Sequence, residues 1–290
     1  MSTIFLNGSY ITRENAKISV DDRGFHFGDG MYDIMLIHNG KIIDFDKHYE
    51  RISNTASRIF MNLDLQKDEI FAIAHKLMAD NKVEKGRLII VISRGEGDRW
   101  VSDFSKMPQN FMIEVQDADC GVGTENLKLI SAKLHEDIRW KYRDIKITSL
   151  LPSVILRAKF EKDGYGEVLY HEDGKICETS RGNIFIIKNN VIKTPPLSHK
   201  LLPGITRFRI LQLLNCGEYV KFLNSEDAKI ISGFKALETD FSIDEILDAD
   251  EVFSSSSTIR IAGISKIDDK EFARHDITKV LLRMYDNFIS

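Results

Sequence analysis

Short blocks of apolar and polar residues succeed one another along this chain, and their period changes from block to block. Ile4-Phe5-Leu6 and Tyr10-Ile11 flank Asn7-Gly8, and Ile34-Met35-Leu36-Ile37 and Ile42-Ile43 flank Asn39-Gly40. Asn-Gly between apolar runs marks a β-hairpin, because both turn residues must take positive φ. From Asp46 to Met61 the period lengthens. Tyr49, Ile52, Ala56, Ile59 and Phe60 fall at helical spacing, with Asp46 placed to cap the helix. Glu69 to Asp80 repeats that spacing through Ile70, Ile73, Ala74 and Leu77. The runs Arg87–Ser93 and Phe111–Val115 are nearly all apolar, the pattern of buried strands.

The stretch from Asp117 to Thr124 has two glycines and no apolar period, so it reads as a connection between domains. Beyond it, Leu127–Ser131, Glu167–Tyr170, Asn183–Ile187 and Glu251–Phe253 read as strands. Leu150–Asp163, Thr206–Leu214 and Asp276–Phe288 read as helices. Pro152 suits the first turn of its helix and Gly164 the position past its end. Strands and helices intersperse without a strict βαβ rhythm, and there is no Gly-x-Gly-x-x-Gly, which argues against a Rossmann fold. The expectation is an α+β chain with a small N-terminal α/β domain over 1–118, a linker over 119–124 and a larger C-terminal domain over 125–290.

Composition narrows the function classes. A formal net charge of −4 gives no electrostatic case for nucleic acid or an anionic membrane. No apolar run approaches ~20 residues, so no membrane span is expected. The N-terminal Met1-Ser2-Thr3-Ile4-Phe5 lacks the basic region and long apolar core of a secretory signal. Three cysteines, Cys120, Cys177 and Cys216, are far apart and odd in number. That argues against a disulfide framework or a zinc site and suits a reducing cytoplasm.

The candidate chemistry lies between Asp144 and Arg207. Lys146 stands in Ile145-Lys146-Ile147, ahead of a helix. An amine among apolar neighbours loses hydration, which favours its neutral, nucleophilic form. Glu178 precedes the strand Asn183–Ile187, and Gly204-Ile205-Thr206 opens the helix that follows. An amine for an aldehyde, an acid for a ring nitrogen and a helix N-terminus for a phosphate are what pyridoxal phosphate requires. Each also has a bland reading: a solvated lysine, a turn carboxylate, an ordinary threonine at a helix start. Ser254–Thr258 reads as a serine linker or as a hydroxyl-rich turn at a strand end. Arg51 falls at polar spacing on its helix, where a solvated arginine is usual and a phosphate contact possible in chemistry.

Taken in order, these motifs resemble a known family over nearly the whole chain. The run from Asp22-Arg23-Gly24-Phe25 to Tyr32-Asp33, then Lys47–Arg51, Asp137–Trp140, Asp144–Lys146, Glu178–Phe185, Thr194–Leu197 and Leu202–Arg207 follow the order of the class IV aminotransferases. These are the fold-type IV pyridoxal phosphate enzymes, and the resemblance is nearest to their D-amino acid transaminase branch. It implies that Lys146 is the Schiff-base lysine and the proton shuttle, and that Glu178 faces the ring nitrogen. Leu202 would pack on the ring, and Arg51, Ile205, Thr206 and Ser257 would hold the phosphate. Arg139 would support the lysine–glutamate region. Tyr32 and Arg99 would take the substrate carboxylate, with Arg181 as the alternative arginine.

The chain departs from that branch in three places. Val101 stands where a histidine completes the carboxylate trap, Arg181-Gly182 replaces a pair of small serines, and Asp33 stands where glutamate is common. The implied reaction moves an amino group between an amino acid, of D-alanine or D-glutamate type, and a 2-oxo acid, in a cytoplasmic homodimer. A branched-chain aminotransferase and an aminodeoxychorismate lyase are the alternatives within the family. Val91–Gly97 has a lyase-like look, whereas the acidic Asp33 speaks against that reading. From another class, a binding protein of the same fold without catalysis remains open, though the presence of both Lys146 and Glu178 opposes it.

Overall fold

The structure, a computed structural model, describes residues 2–100, 103–104, 107–123 and 126–290. Val101, Thr124 and the first residue of the expected C-terminal domain, Glu125, lie outside the described residues. Two compact units emerge. The first joins Met1–Cys120 with Ile145–Leu150, and the second joins Gly121–Asp144 with Leu151–Ser290.

The first unit contains β1 (Thr3–Leu6), β2 (Ser9–Thr12), α1 (Arg23–Phe27), β3 (Gly30–His38), β4 (Lys41–Ile42), α2 (Phe45–Arg58), α3 (Lys67–Asn81), β5 (Gly86–Ser93) and β6 (Asn110–Asp117). Among the described residues its six strands form an antiparallel sheet in the order β2-β1-β6-β5-β3-β4. Both Asn-Gly pairs make the expected hairpin turns, Asn7 at φ 49° and Asn39 at φ 50°. The strand β5 alternates buried and half-buried residues rather than being buried on both faces. Leu88, Ile90 and Ile92 join Met35 and Ile37 of β3, Ile52 and Ala56 of α2, and Ile70 and Leu77 of α3 in one core. Each such side chain contributes roughly 1.5–3 kcal/mol on full burial.

Helix α2 starts earlier and stops sooner than the periodicity implies. Its N-cap is Asp44, at φ 55°, not Asp46. It ends at Arg58 because Phe60 turns to φ 54°, which no helix continues. Ile145–Leu150 runs beside the start of β3: Ile147 bridges to Met31, and Thr148 N–H donates to the Gly30 carbonyl at 3.0 Å.

The second unit contains β7 (Lys128–Glu136), α4 (Leu151–Glu161), β8 (Glu167–Glu172), β9 (Lys175–Thr179), β10 (Asn183–Lys188), β11 (Val191–Thr194), α5 (Ile205–Asn215), α6 (Ser225–Ile231), β12 (Lys235–Glu238), α7 (Ile243–Leu247), β13 (Glu251–Ser256), β14 (Arg260–Ile267), β15 (Lys270–Glu271) and α8 (Asp276–Ile289). Its sheet is mixed, in the order β12-β11-β10-β13-β14-β7-β8-β9, with β15 on β14. Parallel pairs join β11 to β12, β14 to β7 and β7 to β8. Phe185 and Phe253 sit opposite each other on β10 and β13 and stack with centroids 4.6 Å apart. That pair fixes the register of the strands that carry Asn183 and the serine run. The α+β class is as expected. Among the described residues, no helix is long and apolar enough to cross a membrane.

Candidate active site

Lys146 belongs to the first unit. Its carbonyl accepts from Tyr32 N–H at 3.1 Å, and its own N–H donates to Thr55 Oγ1 at 3.4 Å. These bonds hold its backbone beside β3, so the side chain lies over the Tyr32 ring with Nζ 4.2 Å from the centroid. No carboxylate pairs with that amine among the described residues. Tyr32 and Lys146 therefore meet in one unit, although the sequence separates them widely.

On the same strand, Asp33 faces the other way. Arg51 grips it with two parallel bonds, Nε to Oδ2 at 2.9 Å and Nη2 to Oδ1 at 2.7 Å, and His48 Nδ1 lies 2.8 Å from Oδ1. All three side chains are buried. Arg51 is thus not the solvated arginine its spacing suggests. Burial opposes the charge on Asp33, but Arg51 and His48 outweigh it and hold the carboxyl below its usual range. Burial also lowers His48 more than Asp33 raises it, leaving a neutral ring at pH 7. Arg99 is exposed, its guanidinium 4.6 Å from the Phe27 ring centroid.

Glu178 lies in the second unit, inside β9 and ahead of β10, as expected. Its carboxylate is buried and takes three donors: Arg139 Nη1 on Oε1 at 2.8 Å, and Leu202 N–H at 3.0 Å and Asn183 Nδ2 at 3.3 Å on Oε2. Asn183 also donates to the Leu202 carbonyl at 2.9 Å. Burial raises the carboxyl, against Arg139 and the Leu202 N–H. Arg139 is aimed by Asp137, which takes Nε at 3.0 Å and Nη2 at 2.7 Å, while its guanidinium lies 4.2 Å from the Tyr170 ring centroid. Arg143 closes the cluster on Asp137 at 3.2 Å. Arg181 points into a different group: Nε pairs with the buried Glu167 at 3.0 Å and Nη2 donates to the Gly166 carbonyl.

Gly204 is the N-cap of α5 and gives no side-chain bond to the first-turn N–H groups, so Ile205 and Thr206 open the helix with donors uncapped by a side chain. A Cβ on Gly204 would stand 2.0 Å from Asn183 Oδ1, so the cap must be bare. The buried Thr206 hydroxyl lies 3.4 Å from Tyr285 Oη. Ser257 stands in the turn after β13, and nearby Ser255 Oγ is buried without a hydrogen-bond partner among the described residues.

Residues 30–267 match the family model for class IV amino-transferases. The chain belongs to the class IV aminotransferases. A D-alanine aminotransferase from Staphylococcus aureus (strain N315) is 30% identical over 289 residues, covering 99% of this chain and 97% of that one. Among solved structures, the Escherichia coli branched-chain amino acid aminotransferase superposes with a TM-score of 0.84 at 20% identity, covering 100% of this chain and 95% of that one. A putative 4-amino-4-deoxychorismate lyase from Legionella pneumophila superposes with a TM-score of 0.79 at 20% identity, covering 94% and 96%. Both likenesses establish the fold, that of the fold-type IV enzymes.

As a class IV aminotransferase the protein is a pyridoxal phosphate-dependent enzyme, and the reading as a binding protein without catalysis falls. Each unit by itself carries groups of the kind that cofactor takes. Lys146 offers an amine with no ion pair among the described residues, and α5 offers a bare N-terminus. Glu178 keeps unused lone-pair capacity after its three donors, because a carboxylate offers about four acceptor positions.

Sequence reasoning did not find Asp137, Arg143, His48 or Asn183 as parts of these clusters. Asp33 and Arg51 are 18 residues apart and Arg139 and Glu178 are 39 apart, and no local period links such pairs. Asn183 carried one usable signal. A polar residue at the head of an apolar strand, Asn183-Ile184-Phe185-Ile186-Ile187, is out of place unless it has buried partners.

Proposed function

We propose that this enzyme transfers the amino group of a D-amino acid, of D-alanine or D-glutamate type, to a 2-oxo acid. Likeness to a D-alanine aminotransferase over 99% of the chain carries that reading. Arg99 supports it: its guanidinium meets no carboxylate among the described residues, whereas Arg181 is already tied to Glu167. A free guanidinium binds a substrate carboxylate through two parallel bonds.

Bound pyridoxal phosphate supplies the electron sink that makes the substrate α-proton removable. Lys146 Nζ would anchor the cofactor and move that proton. Glu178, where Arg139 opposes the burial that raises its carboxyl, would face the ring nitrogen and keep a proton on it, and Leu202 would pack on the ring. In this reading Arg51, Ile205, Thr206 and Ser257 would hold the phosphate. Tyr32 and Arg99 orient the substrate carboxylate. The chain works as a homodimer in the cytoplasm, where its three free cysteines stay reduced.

The test is a substrate panel of D-alanine, D-glutamate, L-leucine and aminodeoxychorismate, run on the wild type, Arg99→Ala and Arg181→Ala. D-substrates should be turned over by the wild type. Arg99→Ala should lower their kcat/KM roughly tenfold to a hundredfold, the loss of one charged hydrogen bond. Turnover of L-leucine alone, or of aminodeoxychorismate alone, overturns the proposal. A loss confined to Arg181→Ala moves the carboxylate contact to that residue.

A further inference from the structure

The loop that carries Arg99 leaves β5 at Ser93 and returns to β6 at Asn110. Its described residues do not hang free. The segment from Asp22 to Asp29 grips it from one side, through a carboxylate shared by two arginines. Asp29 Oδ2 accepts from Arg23 Nε at 2.9 Å, and Asp29 Oδ1 accepts from Arg94 Nε at 2.9 Å. Both arginine side chains are buried, at 8% and 6% exposure, so neither bond is a loose surface pair.

Each arginine spends its remaining donors on backbone. Arg23 Nη1 donates to the carbonyls of Asp98 and Arg99. Arg94 Nη1 and Nη2 donate to the carbonyls of Phe60 and Ile59, at 3.1 and 2.7 Å, past the end of α2. The main chains interlock as well: Arg23 N–H donates to the Gly95 carbonyl at 2.8 Å, and Arg94 N–H to the Asp29 carbonyl at 3.0 Å. Gly95 admits this close weave through φ 81°, and a Cβ there would stand 1.6 Å from the Pro108 carbonyl oxygen. On the far side of the loop, Phe104 lies over Arg94, 4.2 Å from its guanidinium carbon.

We infer that Asp29, acting through Arg23, is a positioning residue that sets where the Arg99 guanidinium stands. Arg23 holds the Arg99 carbonyl directly, so the Arg99 backbone follows the Arg23 side chain. Asp29 fixes that side chain and supplies the counter-charge for both buried arginines. Phe27, from the same segment, carries the Arg99 guanidinium on its ring. Neutralising Asp29 leaves two buried cations without their shared anion, and the grip on Asp98 and Arg99 slackens. Asp29 touches neither substrate nor cofactor in this scheme; it acts on the affinity for the substrate carboxylate. The inference rests on Arg99 binding that carboxylate.

The test is a double-mutant cycle on the holoenzyme with Asp29→Asn, Arg99→Ala and both together, using the best amino acid from the substrate panel. Asp29→Asn should raise KM about tenfold with kcat nearly unchanged, as expected when a binding group is misplaced rather than removed. In the Arg99→Ala background it should add almost nothing. Cofactor affinity should stay at the wild-type level. If Asp29→Asn does not fold, Arg23→Gln takes its place in the same cycle, since it removes the donors to Asp98 and Arg99. Arg99→Ala with a wild-type KM overturns the carboxylate assignment and this inference with it. A raised KM in Arg99→Ala, with the Asp29→Asn effect persisting in full on that background, overturns this inference alone. So does an unchanged KM in Asp29→Asn.

Discussion

Arg139 Nη1 donates to Glu178 Oε1 at 2.8 Å, and this bond opposes the burial that raises the carboxyl above its usual range. Burial raises Glu178, and Arg139 is the largest influence against it. Arg139 itself is half-buried, yet the charges of Glu178 and Asp137 raise its pKa, so it stays a cation at any working pH. Asp137 and the Tyr170 ring hold its plane. The electrostatic setting of Glu178 thus depends on Arg139 together with Asp137 and Tyr170, which hold it.

Arg139→Met should leave Glu178 buried without its cation. Breaking such a pair costs on the order of 3–5 kcal/mol, read as a lower denaturant midpoint. The Glu178 pKa should climb further, so the acid limb of kcat/KM should move to higher pH. An acid limb at the wild-type position would show that the pair does not control Glu178.

Gly204→Ala should act at a distance from its own position. The added Cβ would meet Asn183 Oδ1 at 2.0 Å, and Asn183 braces both Glu178 and the Leu202 carbonyl. Overpacking of this kind costs about 1–3 kcal/mol. The variant should show a lower thermal midpoint and weaker retention of pyridoxal phosphate on dialysis. Wild-type values in both would mean that Asn183 shifts without consequence.

The Asp33–His48–Arg51 cluster should make stability fall with acid in two ranges. The folded pKa of His48 is depressed below 6.5, so the unfolded chain takes that proton first and stability drops as pH falls below 6.5. Asp33 is depressed below 3.8, so its contribution is complete above 3.8 and is lost as pH falls from there. Urea midpoints across this range should fall in the wild type, and Asp33→Asn should lack the loss below 3.8. Parallel curves for the two proteins would contradict the coupling.

The elements with a long period or a glycine mark were legible in the sequence, and the clusters were not. Gly204 announced α5, which begins at Ile205, one residue before the expected start. Asn7-Gly8 and Asn39-Gly40 announced both hairpins, because positive φ is a local demand. Helix α1 has five residues, too few to show a period, and is set by the Asp22 side chain accepting from Phe25 N–H. Strand β9, Lys175-Ile176-Cys177-Glu178-Thr179, places four residues in a row, apolar and polar alike, that are all buried; its pairing with β8 makes it a strand, not its pattern. The partners of Lys146, Glu178 and Arg51 follow from which strands lie side by side, a property of the whole chain. The order of motifs was informative as a set, and it identified the family that the match over residues 30–267 shows.

Lys146 stands over Tyr32 with an amine that no carboxylate neutralises among the described residues, and every proposed role of the other groups presumes that this amine holds the cofactor. Borohydride reduction of the holoenzyme followed by proteolysis and peptide mass mapping reads that directly. The expected result is a pyridoxyl group on the peptide containing Lys146, with Lys146→Ala losing both the label and turnover. A pyridoxyl group on any other lysine, or full transaminase activity in Lys146→Ala, would contradict it.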